Sequence, residues 1–121
     1  MVKTKTKKAK KRYLTLFFFD RTVPRELYYS IQRRLNIMGY GAVWQPNSAI
    51  KNVRSYEKII EYCIRRDIRV IATFDKKFEY TTADMERKIK ILKLRGGRQK
   101  TINKIIGKLF QVYHALKQVE S

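Results

Sequence analysis

Acidic residues are scarce in this chain. Its 121 residues hold 10 Asp and Glu against 29 Lys and Arg, a formal charge of +19, and such self-repulsion is severe unless a polyanion or counterions offset it. Nucleic acid is the partner this balance points to, set against the plainer reading of a solvated basic surface or a ribosomal-type tail. Cysteine is nearly missing: Cys63 stands alone, which excludes an internal disulfide and favours a reducing, intracellular compartment such as the cytoplasm. The single histidine, His114, has no partner with which to share a zinc. Long apolar runs are also absent, the longest falling far short of the ~20 residues a membrane span requires. The basic N-terminal block carries no apolar face to insert into lipid, so no membrane partner is expected.

What is present suffices for one globular domain. Apolar residues make up 44% and aromatics 12%, too rich for disorder, and a chain of this size buries roughly 65% of the surface exposed when unfolded. Lys3 to Arg12 is a block of like charge with nothing to pack, read as a basic arm, residues 1–12, ahead of a domain spanning 13–121. No apolar signal region follows it, because Leu14 to Phe19 is only strand length. No internal repeat is found.

Beyond the arm, apolar spacing alternates between the periods of strand and helix. Strands are expected at Tyr13–Phe19, Gly41–Gln45, Ile68–Phe74 and Lys88–Leu94, and helices at Pro24–Met38, Ser55–Arg66 and Thr101–Gln118. The helix assignments rest on residues recurring at three and four, such as Tyr56, Ile59, Ile60, Cys63 and Ile64. Pro24 suits a first helical turn, with Thr22 as its expected cap. The apolar strands that end on a charge read as central strands of a parallel sheet covered on both faces. The expected fold is therefore α/β, a three-layer sandwich with a mainly parallel four-stranded sheet.

Two stretches carry the chemistry. Phe17-Phe18-Phe19-Asp20 and Val70-Ile71-Ala72-Thr73-Phe74-Asp75 each take an apolar strand to an aspartate. Open parallel sheets place working groups at the carboxyl ends of strands, so Asp20 and Asp75 are expected to meet there. Magnesium prefers one or two carboxylates plus waters, and a metal would relieve their mutual repulsion. A plainer role has an equal claim: strand-end aspartates often cap the next turn or helix.

The order Asp20-Arg21-Thr22-Val23-Pro24, a helix, Gly39-Tyr40-Gly41-Ala42-Val43, Glu57 to Cys63, then Val70 to Phe78 resembles that of PIN-like domains. It is similar in particular to the small toxin-associated group whose members begin Leu-Asp-Glu-Asn-Val-Pro and later read Thr-x-Asp-x-Asp-Phe. The likeness runs from Leu14 to about Leu116, and Ile91-Leu92-Lys93-Leu94-Arg95 before the last helix fits it too. It implies a metal-dependent ribonuclease fold whose acids gather magnesium or manganese ions at the carboxyl edge of the sheet. Asp20 and Asp75 then stand as catalytic metal ligands, and Thr73 matches the threonine two residues before the late aspartate. The pattern departs at three places: Tyr56 stands where the group has its second acid, Lys77 replaces the last acid, and Arg21 replaces the glutamate after the first aspartate. Glu57, one residue on, is the candidate substitute as third ligand and catalytic acid, against the plainer role of a first-turn helix acid.

Substrate binding is assigned to the basic residues. The arm supplies Lys3, Lys5, Lys7, Lys8, Lys10, Lys11 and Arg12, and Arg21, Lys76 and Lys77 stand beside the aspartates. Further cations, among them Lys93, Arg95, Lys104 and Lys108, face several directions. Such charges bind phosphate backbones without reading sequence. Gly96-Gly97 reads as a turn ahead of a phosphate nest. Tyr29 and Trp44 are the aromatics least committed to the core, and Cys63 continues an apolar stripe as an inert thiol. Three functions remain in competition: a Mg²⁺- or Mn²⁺-dependent ribonuclease, an inactive PIN-like nucleic-acid binder with RNA favoured over DNA, and a toxin-antitoxin-type module held by an acidic protein partner or paired as a homodimer.

Overall fold

The computed structural model describes residues 13–95 and 101–120. Four strands, β1 (Leu14–Phe19), β2 (Tyr40–Trp44), β3 (Val70–Thr73) and β4 (Lys90–Lys93), form one sheet in the order β2-β1-β3-β4. All three pairings are parallel. The helices are α1 (Arg25–Ile37), α2 (Tyr56–Arg65), α3 (Ala83–Lys88) and α4 (Thr101–Glu120), with one 3₁₀ turn at Gln45–Asn47.

The strand alternation sorts the core into two layers. Phe17, Phe19, Val70 and Ala72 pack with Tyr28, Ile31 and Leu35 of α1 and Ile105 and Leu109 of α4. Phe18 and Ile71 point the other way, onto Ile59, Ile60 and Cys63 of α2 and Met85 of α3. The result is the expected three-layer sandwich, with the sheet all parallel. β1 is central and covered on both sides, which is why its sequence is a continuous apolar run and does not alternate. Full burial of each phenylalanine contributes about 1.5–3 kcal/mol.

α3 is the element the spacing did not announce. It has six residues and buries Met85, so it presents no periodic stripe. Its start is set by Thr82, whose hydroxyl accepts the Met85 N–H at 3.2 Å. Because α3 carries the chain back across the sheet, β4 runs parallel to β3.

Close approach governs the β1–β2 edge. A side chain at Gly41 would meet Thr15 Oγ1 at 2.7 Å and Tyr13 Cβ at 3.0 Å, where the β1–β2 register shifts between Thr15 and Phe17. Among the described residues no helix is long and apolar enough to cross a membrane.

Candidate functional site

β1 and β3 are neighbours, and both run out at the same rim. Asp20 follows β1 directly, whereas Asp75 comes two residues after β3. The two are linked through Thr73, the last residue of β3.

Asp20 is buried, with 4% of its surface exposed. Its Oδ1 accepts the Thr22 N–H at 3.0 Å and also the Thr22 hydroxyl, and its Oδ2 accepts the Thr73 hydroxyl at 2.6 Å. Each threonine thereby commits its one proton to Asp20 and turns a lone pair to the exit of β3. Phe74 N–H donates to Thr22 Oγ1 and Asp75 N–H donates to Thr73 Oγ1, both at 2.9 Å. One carboxylate thus organises the turn after its own strand and the departure of the next. A buried charge is tolerable on these terms, with its oxygens met by short donors. Thr22 serves the aspartate and not the helix: α1 begins behind Pro24, with no side-chain cap.

Asp75 is partly exposed. Its Oδ1 accepts the Lys77 N–H at 2.9 Å in a local turn, and its Oδ2 accepts the Tyr56 hydroxyl at 2.6 Å. The Tyr56 ring lies on Phe78, centroids 4.6 Å apart, which holds the phenol in place. The Tyr56 hydrogen bond, then the Lys77 amide and the charges of Lys93 and Arg21, hold the Asp75 carboxyl below the usual carboxylate range. Reciprocally, the hydrogen bond to Asp75 pushes the Tyr56 phenol up, and Asp20 adds to this from the same rim.

Glu57 does not join the pair. It is exposed in the first turn of α2, whose cap is the Ser55 hydroxyl accepting the Lys58 N–H. Among the described residues no three His, Cys, Asp or Glu side chains gather where they would hold a metal. A magnesium or manganese ion needs carboxylate oxygens turned toward it together with waters. Here Asp20 is enclosed by two threonines, Asp75 is shared with a tyrosine, and Arg21 and Lys93 act on the same carboxylate. As the side chains stand, the oxygens of both carboxylates are engaged by protein donors, and the exposed one has cations beside it.

Gln45 is the site residue that sequence reasoning missed. It is fully buried; its Oε1 accepts the Arg21 N–H at 3.1 Å, and its Nε2 donates to the carbonyls of Ile50 at 3.1 Å and Val53 at 2.8 Å. It fastens the turn bearing Arg21 to the loop that leads into α2. The available signal was an amide side chain directly after the strand Tyr40–Trp44 and before Pro46. The two aromatics read as least committed to the core are half-buried. Trp44 Nε1 donates to the Val23 carbonyl at 3.0 Å and its ring stacks on Tyr28 at 5.6 Å, while the Tyr29 hydroxyl accepts the Asn47 amide at 2.6 Å. Both rings brace the rim from behind. Cys63 is buried, and burial pushes its thiol well up, consistent with an inert packing role.

Lys76 and Lys77 are exposed on the β3–α3 loop, and the Lys93 ammonium donates to the Lys76 carbonyl at 2.7 Å. Arg21 is exposed across the rim from them. Lys3, Lys5, Lys7, Lys8, Lys10, Lys11 and Arg12, and the Gly96-Gly97 turn, lie outside the described residues. Compared with family models, curated proteins and solved structures, the chain finds no match.

Proposed function

We propose that this chain is a PIN-like protein that binds nucleic acid through its phosphates and does not cut it. The observation that carries the reading is the use made of the rim's two carboxylates: both hold protein donors, and cations surround the exposed one. A tyrosine hydroxyl occupies the place where the resembled family has an acid, and it converts Asp75 from a metal ligand into a hydrogen-bond acceptor. Arg21, Lys76 and Lys77, with the basic arm, then supply the phosphate contacts, RNA being the favoured substrate by resemblance.

The test compares binding with cleavage. Labelled RNA is titrated with the full chain in EDTA and in Mn²⁺, at several salt concentrations, and the product is run on a denaturing gel. Affinity should fall steeply with salt and be indifferent to EDTA, and the RNA should stay intact. Asp75→Asn, a change at a partly exposed position, should bind at least as tightly because it removes a negative charge from a cationic rim. Cleavage in Mn²⁺ by the wild type that disappears in Asp75→Asn would instead establish the ribonuclease and overturn the noncatalytic reading.

A further inference from the structure

A groove leads away from the rim along the last strand. At the carboxyl end of β4 a depression of about 330 Å³ is walled by Leu92, Lys93, Leu94 and Arg95 on one side and by Lys104, Ile105 and Lys108 of α4 on the other. A second, of about 580 Å³, shares Lys93, Leu94 and Arg95 and continues to Phe74 and Lys76. Together they form one track from the β3 exit to the outer face of α4.

The charge of this track has one sign. Among the described residues, every ionisable side chain lining it is a lysine or arginine, and all of them are exposed. Lys104 and Lys108 stand four apart on α4, on one helix face, where like charges disfavour the helix. The Lys93 ammonium donates to the Lys76 carbonyl, and the one acid it acts on, Asp75, stands at the rim outside the groove lining. Charges arranged at a cost to folding, with no acid among them, fit an occupant that is itself a polyanion. The floor is apolar: Phe74, Leu92, Leu94 and Ile105 all belong to the core layer beneath α1 and α4. Duplexes keep their base faces stacked inside, so an apolar floor between cations suits unpaired bases.

We infer that the groove from Phe74 to Lys108 is a track for a single-stranded polynucleotide, with phosphates on Lys93, Arg95, Lys104 and Lys108 and a base against Phe74. This inference rests on the nucleic-acid-binding reading above and names the strandedness and the path. β4 is four residues long and, among the described residues, the last strand in the sheet order, so the track runs between an edge strand and α4.

The experiment uses the full chain and fluorescent oligonucleotides: single-stranded RNA, single-stranded DNA of the same sequence, and duplex. Affinity is measured by anisotropy across salt for the wild type, Lys104→Ala/Lys108→Ala, Arg95→Ala, and Lys77→Ala as a rim comparison. The double variant alters exposed helical positions, and circular dichroism verifies its fold. On a single strand it should lower the slope of log affinity against log salt by about 1.4 and weaken binding on the order of tenfold at low salt. Ultraviolet cross-linking of a thymine- or uracil-containing strand should mark Phe74. Equal binding of the two single strands, or a preference for either, keeps the track, since phosphates and base faces are common to both. An unchanged slope in the groove variants alongside a reduced slope in Lys77→Ala would overturn the track while leaving the binding function standing. Duplex binding as tight as single-strand binding, and equally sensitive to Lys104 and Lys108, would overturn the strandedness. Absence of salt-dependent binding by the wild type would remove the parent reading itself.

Discussion

Asp20 and Asp75 end neighbouring parallel strands and are joined through a single threonine hydroxyl, yet one is enclosed and the other faces solvent. The separation arises from where each strand stops. Asp20 is the first residue past β1, still under the rim, and its oxygens are met by Thr22 and Thr73; Asp75 is two residues past β3, beyond the rim, among Tyr56, Lys77, Lys93 and Arg21. The same side chain is a structural brace in one position and a surface charge in the other. A carboxylate at a strand end therefore acquires its role from the donors within reach, more than from its place in a motif.

The comparison breaks most visibly if Asp20 is truncated. Asp20→Ala leaves the buried Thr73 hydroxyl without its acceptor and frees the hydroxyl and amide of the exposed Thr22 from the turn, and urea denaturation should show a loss of about 3 kcal/mol. Gln45→Leu comes next. It strands the Arg21 amide and the Val53 carbonyl and takes one of two donors from the Ile50 carbonyl, which keeps the Val53 N–H, and should cost about 2 kcal/mol by the same measurement.

Tyr56→Phe tests the outer aspartate through pH. The folded Asp75 carboxyl lies below its ordinary value, so its contribution is present above about pH 3.9, the unfolded value, and is lost as pH falls through the folded one. The Tyr56 phenol is raised, so its contribution stands below about pH 10 and disappears as pH rises through the folded value. The wild type should therefore melt slightly above Tyr56→Phe near neutrality, by less than it exceeds Gln45→Leu, and the two curves should converge in acid and in alkali. A gap that persists unchanged to the lowest pH at which the fold holds would mean that the Tyr56 hydroxyl stabilises the protein through something other than the Asp75 carboxylate. Glu57→Gln should change stability by no more than about 0.5 kcal/mol and leave nucleic-acid affinity within measurement error. A larger effect would place Glu57 in the site.

Much of this could be read from residue order. Phe17-Phe18-Phe19 and Val70-Ile71-Ala72 are apolar on every residue because helices cover both faces, and the Ile59, Ile60, Cys63 spacing marks the covering face of α2. The position of the aspartates at one rim was also legible, since parallel strands share a carboxyl end. Three features were not. α3 escaped because one buried methionine in six residues makes no period. The threonine brace escaped because, although Thr22 reaches Asp20 within its own turn, Thr73 lies 53 residues from Asp20 and its bond exists only when β1 and β3 pair. Gln45 escaped because a buried amide that satisfies three backbone groups has the same letter as an exposed one.

By itself the amino-acid order determined the class of fold, the excess of positive charge and the two strands that end in acid, because apolar period and net charge are properties of local composition. The assembled structure alone decided what those acids do, placing Tyr56 on one and two threonines on the other. It also gathered Lys76, Lys93, Arg95, Lys104 and Lys108 along one groove. Hydrogen bonds and electrostatic fields depend on distances of a few ångströms between residues far apart in the chain, and only packing creates those distances.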